Sequence, residues 1–231
     1  MAGHFGAIGF AVTTREELEA LGVLAASMGE PHDAGSQRYL RWSVGAGVEL
    51  WAQAETTSRT IKGVHPYFAS GKAALEATIE EVTPSPKRAH DGAITVIPGS
   101  EAARAALAGV AVTLPDFQLV RDRLQPRAPV RLSVAAFAHA FEELRSEREL
   151  GAAGLGPGMM LPAPQGLVLA AGRVLEAERR RNGSTGRELG WLLLAVEGGT
   201  IDVLVDPELG EDLPAKGQAV RGVFWLAGRL S

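Results

Sequence analysis

A chain of 231 residues with 46% hydrophobic and 22% charged residues has the composition of a globular protein, one large domain or two ordinary ones. Its net charge of −4 removes any global attraction to nucleic acid or to an anionic membrane. The absence of cysteine excludes disulfides, thiolate metal sites and cysteine nucleophiles.

No apolar run approaches the roughly 20 residues that a membrane-spanning helix needs. Met1 to Gly6 lacks a basic segment followed by an apolar core, so no signal peptide is visible and a cytoplasmic location is expected.

Phe5 to Val12 is apolar and reads as a first strand. Thr14 is the expected N-cap of a helix running to about Met28. Glu17 stands at capping-box spacing, and Gly29 and Pro31 end the helix. Gln37 to Val44 and Val48 to Ala54 form a predicted hairpin about the Gly45-Ala46-Gly47 turn. This register puts Leu40, Trp42 and Val44 on a helix-facing side. Tyr39, Arg41 and Ser43 then lie across from Gln53, Trp51 and Glu49 on the other. Tyr39, Arg41, Glu49 and Trp51 are thus the candidate surface for a small-molecule or protein partner. An Arg41–Trp51 cation–π contact with an Arg41–Glu49 ion pair is the purely structural alternative.

Ile61 to Phe68 is a further strand. Ala73 to Val82 fits both periods, and its β-branched content favours a strand. Strands are expected at Ala93 to Ile97, Val110 to Leu114 and Val130 to Ala136. A helical stretch is expected at Glu101 to Leu107, and one or two helical turns at Phe117 to Leu124. From Phe137 the spacing of Phe141 and Leu144 predicts a helix continuing to Leu150, with His139 and Glu142 one turn apart. Glycine and proline dominate residues 151–164, which read as a linker between domains at 1–150 and 165–231. Beyond it, strands are expected at Gly166 to Arg180, Glu188 to Val196, Thr200 to Val205 and Ala219 to Leu230. Arg179, Arg180, Arg181 and Arg187 form a local basic patch on the first hairpin of this block. Its eight cations are balanced by nine anions, which argues against general nucleic-acid binding.

The order strand, helix, hairpin ending in Val48-Glu-Leu-Trp51 resembles one module of the vicinal oxygen chelate superfamily, the glyoxalase and bleomycin-resistance proteins. That resemblance implies a divalent metal held by His4 and Glu49. The C-terminal block, with four strands, is similar to an OB-fold or a related small β-barrel, a five-stranded architecture. This implies single-stranded nucleic acid as an alternative ligand. Gly198 to Val203, Asp206 to Leu209 and Phe224 to Arg229 resemble a family of uncharacterised bacterial proteins, which implies a two-part architecture and no particular activity.

No phosphate loop, zincin helix, nucleophile elbow or dinucleotide fingerprint occurs. The expectation is therefore an α+β protein: a glyoxalase-like unit continued by a mostly antiparallel sheet, then an OB-like barrel. Its expected role is non-enzymatic binding or assembly, without a cofactor and with a homodimer as one mode of assembly. The alternatives are a single-strand-binding protein and a glyoxalase-like metalloenzyme.

Overall fold

The computed structural model of the chain describes residues 2–58, 60–99, 108–144, 156–210 and 212–231. It is mostly β, with two sheets and few helices. The Glu101 to Leu107 helix and residues 145–155 of the predicted helix and linker lie outside the described residues.

The chain starts in a short helix, α1 (Ala2–Gly6), and a turn, where a strand is expected. Gly3, Gly6 and Gly9 recur every third residue through this stretch, and glycine at that density weakens a strand. The second helix, α2 (Arg15–Met28), follows the sequence expectation. Thr14 accepts from the Glu17 amide, and the Glu17 carboxylate reaches back to the Thr13 and Thr14 amides.

An antiparallel sheet of four strands in the order β1-β2-β3-β4 follows: β1 (Glu30–Ala34), β2 (Gln37–Gly45), β3 (Val48–Glu55) and β4 (Ile61–Phe68). β1 escapes the sequence reading because Pro31 stands inside it, which an edge strand tolerates. The β2–β3 register is the expected one from Tyr39↔Gln53 to Ser43↔Glu49. A bulge then pairs Gly45, not Val44, with Val48.

The larger sheet comprises β5 (Leu75–Pro84), β6 (Gly92–Pro98), β7 (Val110–Thr113), β8 (Pro129–Leu144), β9 (Met160–Ala163), β10 (Leu167–Arg181), β11 (Glu188–Val196), β12 (Gly199–Val205) and β13 (Ala219–Leu230). The third helix, α3 (Phe117–Val120), lies between β7 and β8. The expected helix at 137–144 is instead the second half of β8, zipped antiparallel to β13 along its length. Val134 to Ala138 are all buried, so β8 lacks the alternation that marks a strand with one wet face. His139 and Glu142 therefore lie on a strand, where His139 is the extra residue of a bulge in the β8–β13 ladder and Glu142 pairs with Arg221 across it.

Pairing closes two rings. One runs β5-β6-β7-β13-β8 and back to β5. The other runs β10-β11-β12-β8-β13 and back to β10. Each has one parallel contact, β7–β13 in the first and β12–β8 in the second. β8 and β13 belong to both rings, so the fifth strand of the C-terminal ring comes from before the 151–164 segment.

The registers repeat as well. Val96 faces Val110 as Leu194 faces Ile201, and Thr113 meets Ala227 as Leu204 meets Phe137. The β5 ladder shifts between Ile79 and Glu81, and the β10 ladder between Val174 and Glu176. β5 to β8 and β10 to β13 are two copies of one four-strand unit, each lending its last strand to the other.

The repeat extends to the core. Ile79 and Val174, Val96 and Leu194, Val110 and Ile201, and Val112 and Val203 are equivalent pairs, all buried in one continuous interior. Burial of each such side chain contributes about 1.5–3 kcal/mol. A second core forms where the four-stranded sheet covers the outside of the rings, joining Tyr39, Leu50, Trp51 and Phe68 to Phe137, Leu189, Trp191 and Leu204.

Candidate functional site

The Tyr39–Arg41–Glu49–Trp51 face is assembled as the register predicts, and it is turned inward onto the rings. Tyr39, Trp51 and Glu49 are 0%, 1% and 4% exposed. The Glu49 carboxylate accepts from Trp51 Nε1 at 3.0 Å, pairs with the Arg41 guanidinium, and lies 3.6 Å from Arg229 on β13. Arg229 also bonds Asp116 at 3.1 Å and packs 4.6 Å from the Trp51 ring centre. Tyr67 donates to the Ser133 carbonyl, and Tyr39 donates to the His90 carbonyl at 2.7 Å. Burial pushes both phenols above their ordinary range, and the bond to Glu49 raises Arg41 further. This face is a covered, ion-paired seam between sheet and rings, in which Arg41 Nε and Asp116 Oδ1 are buried without a hydrogen bond. A buried ion cluster of this kind fixes how two surfaces meet more than it adds stability.

The basic patch divides three ways. Arg180 is drawn in, its guanidinium 4.0 Å from the Trp191 ring centre and 5.5 Å from that of Phe68. Trp191 in turn donates to Asp202 at 2.8 Å, and Asp202 accepts from the Ser70 amide at 3.0 Å. Burial raises the Asp202 carboxyl above the usual carboxylate range despite these bonds. Arg179 and Arg181 share Glu188, at 3.9 and 3.0 Å. Arg187 lines an open groove.

That groove, about 560 Å³, lies between the N-terminal arm and the ends of β11 and β12. Asn182, fully buried, pins the arm: its amide donates to the Ile8 carbonyl at 2.8 Å, and its oxygen accepts from the Ser184 and Thr185 amides. Thr185 donates to the Gly9 carbonyl at 2.8 Å. Glycine is required where the arm meets the ring. A Cβ on Gly6 would lie 2.1 Å from Asp206 Oδ2, and Gly9 has φ +81° with Asn182 3.0 Å from where its Cβ would be. Phe10 to Thr13 leave this anchor along one wall, outside any sheet. Among the described residues no hydrogen bond engages the Ala11 or Val12 backbone. With Glu188 taken up by Arg179 and Arg181, two further carboxylates, Asp206 and Glu208, line the groove with one guanidinium, Arg187.

Comparison with protein-family models, curated proteins and solved structures finds no match.

Side-chain chemistry alone therefore decides what the site can do. The groove wall presents open backbone and carboxylates, and its Thr13 hydroxyl donates to Glu17, the carboxylate that also takes the Thr13 and Thr14 amides at the start of α2. His4 and Glu49 do not share a partner. His4 stacks on Trp225 at 4.3 Å with its Nε2 2.7 Å from His139 Nε2, and burial pushes its imidazole down to about 3. Among the described residues no three His, Asp or Glu side chains are grouped to hold a metal. His65 meets Asp91 at 2.9 Å beside Arg88. The groove was invisible to a reading by strand alternation. Gly6 and Gly9 were the available signal, marking a backbone laid directly on another surface.

Proposed function

We propose that the chain is a non-catalytic binding or assembly module, whose groove takes an extended segment of another protein carrying basic side chains. The observation that carries this reading is the open backbone of Ala11 and Val12 beside Asp206 and Glu208. Ala11 is exposed while Val12 packs into the core, so the stretch is anchored and its unpaired backbone stays within reach. An added strand supplies hydrogen bonds there, with specificity from alternate side chains. Basic side chains match the excess of carboxylates.

We further read the two rings as paired OB-like barrels, on the support of five strands each and a closed pairing order. In such barrels the second and third strands carry the ligand face. In the C-terminal ring those are β11 and β12, whose Trp191, Leu193 and Leu204 pack in the core beneath the chain's own sheet. Arg180 and Trp191 are thereby withdrawn from stacking on bases, so the single-strand alternative ranks second. The metalloenzyme alternative draws no support from the separate surroundings of His4 and Glu49.

The test is fluorescence anisotropy with a labelled alternating Lys-Val octapeptide, an alternating Glu-Val control and labelled oligo-dT. Saturable binding of Lys-Val alone, weakened about tenfold in Asp206→Asn/Glu208→Gln, is expected for the loss of two charge pairs. Equal binding of both peptides, or tighter binding of oligo-dT, rejects the reading.

A further inference from the structure

His4 on α1 and His139 on β8 come from segments 135 residues apart, and their Nε2 atoms meet at 2.7 Å. The His4 ring is fixed on one side by the parallel Trp225 indole, at 4.3 Å and 8°, and its edge approaches Phe137. The His139 ring stands at 69° to it and is exposed, so solutes reach the pair. Both imidazoles are held below their ordinary pKa, His4 chiefly by burial and His139 likewise, so both rings are neutral and a single proton is shared between the two Nε2 atoms.

We propose that His4 and His139 together bind a late first-row divalent cation, Cu²⁺ in preference to Ni²⁺ and Zn²⁺, through their two Nε2 atoms. Imidazole nitrogen suits all three ions, and the affinity order of the divalent ions, which peaks at copper, ranks them. The 2.7 Å separation is that of a hydrogen bond between the two rings, and a cation parts them to reach both lone pairs. Binding exchanges the hydrogen bond between the rings for two metal–nitrogen bonds. The shared proton moves to Nδ1 of the ring that carried it, and no proton is released. Water completes the coordination. The site is independent of the groove: its residues do not line it, and no cation is needed for peptide binding there.

The experiment titrates CuCl₂, NiCl₂ and ZnCl₂ into the full chain, following tryptophan quenching and the Cu²⁺ electron paramagnetic resonance spectrum. His139→Ala tests the exposed partner, His4→Phe keeps the stack on Trp225 without the nitrogen, and His65→Ala is the control. The expected result is one Cu²⁺ per chain with hyperfine coupling to two imidazole nitrogens. Binding falls about tenfold or more in both His139→Ala and His4→Phe and is unchanged in His65→Ala. Copper binding that survives His139→Ala but is lost in His4→Phe means that His4 acts alone with backbone nitrogens, and overturns the pair. So does tighter binding of Ni²⁺ or Zn²⁺ than of Cu²⁺.

Discussion

The guanidinium of Arg180 lies 4.0 Å from the centre of the Trp191 ring, on a side chain that is only 16% exposed. A shielded cation–π contact contributes about 1–2 kcal/mol, and the arginine stem adds apolar packing. Arg180→Ala should therefore lower unfolding free energy by about 2 kcal/mol in urea titration. Arg179→Ala and Arg181→Ala, whose exposed pairs with Glu188 contribute little, should stay within about 0.5 kcal/mol. Equal losses from all three would mean that the stack carries no special weight.

Asp202 supplies the pH dependence of the same cluster. Its carboxyl is raised by burial, so between the unfolded value near 3.9 and the folded value the native state holds more protons than the unfolded one. Stability from this group is then complete below the unfolded value and is lost as pH rises through the folded one. Asn cannot ionise, so the stability of the native chain relative to Asp202→Asn should fall between pH 4 and 7. A flat difference across that range would contradict the assignment.

Glu49 tests the seam between sheet and rings. Glu49→Gln leaves Arg41 and Arg229 facing each other without their shared carboxylate. Both arginines are partly exposed, so the cost should be about 2 kcal/mol and not the larger penalty of a fully buried pair. Calorimetry should show it as a lower Tm, and Arg229→Met/Glu49→Gln should recover part of it.

Gly6 tests the groove. Gly6→Ala places a methyl group against Asp206 Oδ2, so that carboxylate must swing away from its place on the groove wall. Lys-Val peptide binding should fall about tenfold in that variant, while far-ultraviolet circular dichroism stays native. Retained affinity would show that the position of Asp206 does not matter to binding.

A cut in residues 145–155 tests the shared strands. Residues 1–144 lack four strands of the C-terminal ring, and residues 156–231 lack β8. Expressed alone, each fragment should give the collapsed proton spectrum of an unfolded chain. Co-expressed, they should co-purify with dispersed resonances, because the β8–β13 ladder lies between them.

Local signals in the sequence were read correctly where they were sufficient. The Thr14–Glu17 box starts α2, and the Gly45 to Gly47 turn with its alternation sets Arg41 across from Trp51. Two kinds of information were not local. Val134 to Ala138 are buried on both faces and His139 is an extra residue in the ladder, so Phe137, Phe141 and Leu144 matched a helical period while belonging to a strand. Ring closure joins Asp202 to Ala135 and Ala227 to Thr113, contacts across more than sixty residues that no window of sequence contains. The polar face at Tyr39 and Glu49 looked like a binding surface for the same reason. Its covering partners, Arg229 and Asp116, lie far along the chain.

The open margins of the two sheets carry a further consequence. β1, β4 and β9 each include a proline, Pro31, Pro66 and Pro162, which has no amide proton to offer a neighbour. Copies of this chain are thus poorly suited to stacking margin to margin into fibrils. If strands are ever added from outside, Phe10 to Thr13 is the berth left for them, and it admits one guest and then ends.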